Sequence, residues 1–423
     1  MSIDIAVKEP VIGLSIEEQK RASRIKWLVL ALAALTNTLV AAVPSMCMPV
    51  LFDQISADLH LTLVQVGVIW GISALPGIIT ALIGGTIGDH LGPRRVLLAS
   101  CLLIGFSGAL RGTATSFGTL AATMILFGMF TSFITTNTFK MCGIWFPRSQ
   151  MGLASGILSM GMALGFLSSS MLSATVLAPW LGSWRNVLFL FGGIAAGLSI
   201  PWFFIRVAPA PEEQGSQGQD FSSLWRNLAK VARIRKVWLF GLVMLGISGC
   251  IQGTLGYLAL YLRGQGWTPS LADGALASFH TISMICVIPI ALLSDRIGSR
   301  RRILLPATLM ITIGVGLLSV LHGPAVWVAV CLAGMVRDGF MAVFTTAIME
   351  IDGVGTTFTG TAMGLIMIFS GLGNLLAPPV GNSLASFTPG LPFAFWSLLT
   401  LIALGALLAS GEEPRPTQTR PAL

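Results

Sequence analysis

The chain has 423 residues, of which 54% are hydrophobic and only 10% charged, and its net charge is +8. With a mean hydropathy of +0.84, that composition excludes a pair of water-soluble domains and points to a membrane protein. The basic excess does not call for a nucleic-acid partner, because it gathers on one side of the predicted topology, as membrane insertion alone requires.

The opening residues, 1–25, form a polar, charged tail without the short apolar core of a cleaved signal peptide, so the first span is expected to act as an uncleaved insertion signal. Apolar runs follow along nearly the whole chain, each long enough to cross a hydrocarbon core of about 30 Å as a helix. Twelve are predicted: 26–48, 63–84, 95–112, 117–140, 151–175, 187–206, 237–261, 270–293, 303–321, 325–349, 359–385 and 391–410. With both termini on the cytoplasmic side, the lysines and arginines of the connecting segments fall inside, except Arg111, Arg185 and Arg263. All six cysteines lie in or beside spans without CxxC spacing and read as packing residues, not as disulfides or metal ligands.

One long polar stretch interrupts the pattern. The segment 209–236 separates a bundle at 26–208 from a second at 237–411, and a polar tail closes the chain at 412–423. The linker starts rich in Pro, Gly, Gln and Glu, then turns to FSSLWRNLAKVARIRK, whose basic and apolar residues have the spacing of a helix lying on the inner membrane surface. The two bundles repeat each other. Asp89-His90-Leu91-Gly92-Pro93-Arg94-Arg95 follows span two, and Asp295-Arg296-Ile297-Gly298-Ser299-Arg300-Arg301 follows span eight, an offset of 206 (295 − 89). Gly152, Ala154, Gly156 and Gly165 of span five recur as Gly360, Ala362, Gly364 and Gly373 of span eleven, an offset of 208 (360 − 152). Six crossings return the chain to its starting side, so the repeats are parallel about an axis along the membrane normal.

GGTIGDHLGPRR, residues 84–95, resembles the cytoplasmic loop signature GxxxDxxGxRR of the major facilitator superfamily, with a reduced copy after span eight. The resemblance covers almost the entire chain. It implies an all-α membrane protein of twelve transmembrane helices in two pseudo-symmetric six-helix bundles that rock about a central site lined by spans one, four, seven and ten. It also implies gating roles for Gly85, Asp89, Gly92, Arg94 and Arg95 and for Asp295, Arg296, Gly298 and Arg301 of the second copy. In that family Asp89 accepts hydrogen bonds from the amides opening span eleven when the inner gate is shut. The stretches MCMPVLFDQISADLHLT and WFPRSQMGLASGI resemble the branch of cyanate and nitroimidazole carriers.

Span ten carries the most expensive feature. Arg337 and Asp338 stand at its centre, about 18 Å from either surface at about 1.5 Å per residue, too deep for the arginine to snorkel out. A charge there must face a partner or a water-filled cavity. Neighbouring helical residues diverge by about 100°, so the two cannot simply satisfy each other. Arg337 is the candidate anion-binding residue, because a guanidinium offers paired donors to a carboxylate or oxyanion. His280, Gln252, Asn137, Thr131, Asn37 and Asn374 are the polar residues expected to share the site, and Asp338 and His280 the candidates for carrying a coupling proton.

The expected function is secondary active transport of a small anionic solute, as proton-coupled import across a bacterial inner membrane. The protein should work as a monomer in the bilayer, drawing on a proton or other ion gradient and needing no cofactor. A drug or metabolite efflux antiporter of the same superfamily is the alternative transporter, and a non-transporting membrane sensor the alternative of another class. An enzyme is not expected: no soluble segment holds a phosphate-binding loop, zinc-ligand spacing or nucleophile elbow.

Overall fold

The computed structural model describes residues 16–78, 91–147, 150–205 and 228–411. Gly85, Asp89 and His90 of the loop signature and most of the linker lie outside the described residues. Ten described helices are long and apolar enough to cross a membrane by length and composition. Span two adds the helix Leu63–Ile72, which breaks at a turn on Ser73 and resumes as far as residue 78. Span nine adds Arg300–Leu317, whose opening Arg300, Arg301 and Arg302 make it less apolar than the rest. The fold is therefore all-α and membrane-spanning, in two halves.

Several ends are written in the sequence. Thr62 and Ser116 form capping boxes with Gln65 and Thr119 at the starts of spans two and four. Thr268 accepts from the Leu271 amide ahead of the helix Pro269–Ile297. Gly298 ends that helix in the left-handed region, at φ 67°. Span one is continuous from Ile16–Thr36 through a π-helical turn at Asn37–Ala42 into Val43–Leu59. That turn lies where span five packs on it.

The repeated glycines divide into two kinds. A Cβ on Gly165 would come within 2.6 Å of Ala42 Cβ, and one on Gly373 within 3.1 Å of the Gly249 amide nitrogen. These two let span five close on span one and span eleven close on span seven. Gly152, Gly156 and Gly360 meet nothing within 4 Å. Span eleven stays helical over Gly355–Leu384 despite Pro378 and Pro379. Lacking N–H groups, these prolines leave the carbonyls of Asn374 and Leu375 without their helical donors. Both carbonyls lie against Gly71 of span two: a Cβ there would sit 2.6 Å from the Leu375 oxygen and 2.9 Å from that of Asn374.

The loop arginines act within their own halves. Arg94 donates through Nε to the Trp202 carbonyl at 3.0 Å and through Nη2 to that of Phe203, and Arg301 donates to the Leu408 carbonyl at 3.0 Å. Each sits at the second position of its helix, Pro93–Leu110 or Arg300–Leu317, and supplies donors to orphan carbonyls at the end of span six or twelve. Sequence alignment pairs Arg94 with Arg300, but the helix starts pair it with Arg301, since Gly92 caps its helix directly while Ser299 intervenes after Gly298. Arg300 instead binds Asp295 at 2.6 Å and Glu350 at 3.2 Å. Arg95 and Arg296 are exposed.

A continuous apolar cluster joins Phe52 and Trp70 of the first half to Tyr257 and Phe279 of the second, whereas Val29, Leu97, Cys142 and Trp202 form a separate core inside the first half. Trp70 Nε1 donates across the join to the Gln252 carbonyl at 2.7 Å, Asn382 Nδ2 to the Leu63 carbonyl at 2.9 Å, and Arg263 Nη1 lies 3.6 Å from Asp53 Oδ2. These three contacts lie together at one end of the bundles, the sealed end.

Arg111, read from the sequence as lying on the outer side at the end of the span 95–112, does not face outer water. It is fully buried, with Nη1 donating to the Pro44 carbonyl at 2.9 Å and the guanidinium carbon 3.8 Å from the Phe127 ring centroid. The cause is helical continuity: Pro93–Leu110 runs on through a short turn at Arg111–Thr113, so the side chain turns into the bundle instead of leaving it.

Candidate functional site

Span ten is the helix Ala325–Met349, with Arg337 at its middle. Its guanidinium is 17% exposed and approaches Asp338 Oδ1 with Nε at 3.7 Å, an ion pair too long for a hydrogen bond. The hydrogen bond goes to span eight, where Arg337 Nη1 lies 3.1 Å from His280 Nδ1. Arginine can only donate, so Nδ1 is the acceptor and the imidazole is neutral with its proton on Nε2. That Nε2 is buried without a partner.

The pair also touches the other half. Phe166 of span five lies 5.8 Å from the Arg337 guanidinium carbon and 5.4 Å from the His280 ring, centroid to centroid. Two elements of the second half and one of the first thus converge on a single cation midway along the helices. Asp338 is 35% exposed and donates its backbone amide to Ser283 Oγ at 3.1 Å.

At a similar depth along the helices, a cavity of about 370 Å³ opens between spans one, two, four and eleven. Its polar wall includes Ser45, Ser73, Thr131, Thr135, Ser370 and Asn374, and among the described residues no ionisable side chain lines it. Thr131 and Ser45 donate to their own helices, to the Phe127 carbonyl at 2.8 Å and the Ala41 carbonyl at 2.7 Å, and so present lone pairs to the cavity.

The predicted site residues therefore fall into separate groups. Arg337 and His280 are bonded to each other, and Thr131 and Asn374 line the cavity. Asn37 and Asn137 are buried in the first half: Asn37 Oδ1 accepts from Thr138 at 3.0 Å, and Asn137 Nδ2 donates to the Phe133 carbonyl at 2.8 Å. Gln252 belongs to the seal through its main chain. Sequence reasoning missed Phe166 and Trp70, which look like ordinary apolar residues of a span, and no local pattern marks them. It also missed Asp273, whose side chain is 1% exposed and bonded to Arg263 at 2.6 Å; the one available signal was an acid just inside the start of an apolar helix.

Two helical halves sealed at one end, with a buried cation and a polar cavity between them, define a secondary transporter of small solutes, an integral membrane protein. The chain belongs to the Major Facilitator Superfamily, whose family model matches residues 28–356. A probable nitrate/nitrite antiporter of Thermus thermophilus is 26% identical over 92% of each chain. A probable sulfoacetate transporter of Cupriavidus necator is 23% identical over 87% of this chain and 89% of its own. Among solved structures, the nucleoside transporter NupG superposes with a TM-score of 0.73 at 12% identity, over 91% of this chain and 98% of its own. A bacterial homologue of the human lysosomal transporter Spinster, in an inward-facing unoccupied conformation, gives 0.71 at 16% identity, over 91% and 95%. These two likenesses establish the fold.

Proposed function

We propose that the protein imports a small anion, a carboxylate or inorganic oxyanion, across a bacterial inner membrane by proton-coupled alternating access. The observation that carries this reading is Arg337: a midplane guanidinium whose one hydrogen bond goes to a neutral imidazole and whose carboxylate neighbour stands off at 3.7 Å. Its charge is only loosely compensated, and its remaining N–H groups suit an oxyanion. Nitrate, nitrite and sulfoacetate, named for the two relatives above, are all small anions.

In this reading Arg337 binds the anion, with His280 orienting the guanidinium. Thr131, Asn374, Gln252, Asn37 and Asn137 serve the solute at other stages of its passage. Asp338 carries the proton, since its carboxylate is partly exposed whereas His280 already spends its lone pair on an adjacent cation. Gly92, Arg94, Arg95, Asp295, Arg296, Gly298 and Arg301 belong to the cytoplasmic loops with Gly85 and Asp89, and with the termini inside, the sealed end is external.

The test is uptake of labelled nitrate and small carboxylates into vesicles holding the purified protein, with and without an inward proton gradient. Arg337→Gln should weaken anion binding by about 10- to 100-fold, the worth of one or two charge-assisted hydrogen bonds at about 1.5–3 kcal/mol. Asp338→Asn should abolish pH-driven accumulation while sparing exchange. Anion binding unchanged in Arg337→Gln refutes the site.

A further inference from the structure

At the sealed end one guanidinium serves two carboxylates. Arg263, in the last turn of span seven, donates through Nη2 to Asp273 Oδ1 of span eight at 2.6 Å, inside the second half. Its Nη1 lies 3.6 Å from Asp53 Oδ2 on span one, across the join. Arg263 is 9% exposed and Asp273 1%, whereas Asp53 is 55% exposed. Asp273 Oδ2 and Arg263 Nε are buried with no hydrogen-bond partner. Among the described residues no other charged side chain forms an ion pair with Asp273; spans five, nine and ten, which also pack on span eight, bring none.

The Arg263 cluster thus holds two carboxylates and one guanidinium. A buried charge without full compensation is met by pairing or by a proton. Asp53 is open to water, so the deficit falls on Asp273, whose Oδ2 is buried without a donor. When the halves part, Asp53 leaves with span one, and Arg263 and Asp273 remain as a one-to-one pair within the second half. We propose that Asp273 Oδ2 is a proton-binding site of the transport cycle, filled from water as the sealed end closes and emptied as Asp53 withdraws. The proton adds to a carboxylate and leaves as it came, so no other reactant is involved. The site is distinct from the midplane pair and independent of which solute is carried, though it rests on the reading that the halves rock apart.

Since the closed form holds one proton more, the closed-to-open ratio should rise by up to about tenfold for each unit fall in pH, between the proton affinities of the two states. Electron–electron distance measurements in lipid discs read that ratio, with spin labels at the exposed positions Ala57→Cys and Thr388→Cys and the partly exposed Cys286 and Cys331 replaced by serine. Asp273→Asn should stay closed at every pH and lose the slope, because the amide oxygen still accepts from Arg263, which still reaches Asp53. Asp53→Asn, at an exposed position where misfolding is not expected, should also lose the slope while opening more readily. Asp58→Asn, which loses an ion pair to Arg185 inside the first half, should keep it. A wild-type slope in Asp273→Asn, or a slope abolished by Asp58→Asn, overturns the proposal. If wild type shows two distances without pH dependence, the proton site alone fails; a single distance under all conditions sinks the rocking reading with it.

Discussion

Replacing Gly71 by alanine should open the sealed end without disturbing either half. The added methyl would stand 2.6 Å from the Leu375 oxygen and 2.9 Å from the Asn374 oxygen. Ordinary C–H to oxygen contacts run at about 3.3–3.6 Å, so the deficit is about 0.7–1 Å. Neither neighbour can rotate away, for both are main-chain atoms of a helix held by packing along span seven. Relief comes from separating spans two and eleven, which belong to opposite halves. Overpacking of this kind costs about 1–3 kcal/mol, and it falls on the closed form alone, because the helix-propensity gain of alanine is common to both states. The closed-to-open ratio should therefore drop about 5- to 150-fold. The spin-label pair at positions 57 and 388 measures it directly, with Gly152→Ala as control, since a Cβ there meets nothing within 4 Å. An unchanged distance distribution in Gly71→Ala, at full protein stability, would refute the idea that this contact limits opening.

Arg111→Ala should cost about 2–5 kcal/mol of stability, through the void left against Phe127 and the lost bond to Pro44, whereas Arg111→Met, which fills the volume without a buried charge, should recover most of it. Thermal unfolding in detergent checks both, and equal midpoints for the two variants would count against the packing account. Trp202→Phe removes a buried hydrogen bond from the indole to Thr36 Oγ1 at 2.9 Å that ties span six to span one; a loss of about 0.5–1.5 kcal/mol is expected by the same measurement.

The loop repeat offers an instructive mismatch. Its motif made the duplication legible, yet alignment assigned Arg94 to Arg300, while the carbonyl-capping role lies with Arg301. One residue between a C-cap and the next N-cap shifts every later position by one on its helix, and a pattern match has no access to that shift. The burial of Arg111 was illegible for a related reason. Its place at the edge of an apolar run is as consistent with a loop as with a helix that continues, and only packing against Phe127 and Pro44 selects the buried course.

Hydropathy alone set the spans, because lipid obliges each crossing segment to satisfy its own backbone as a helix, a constraint that acts along the chain. The internal repeat set the two-half architecture, and the cost of a midplane charge singled out Arg337. The partners were another matter. That Arg337 meets His280, that Trp70 closes on Gln252, and that Arg263 is shared by Asp53 and Asp273 depend on helices brought together from separations of tens to hundreds of residues. Those pairings follow from the rotation and depth of each helix within the bundles, which side-chain packing fixes and hydrophobicity along a single span does not encode.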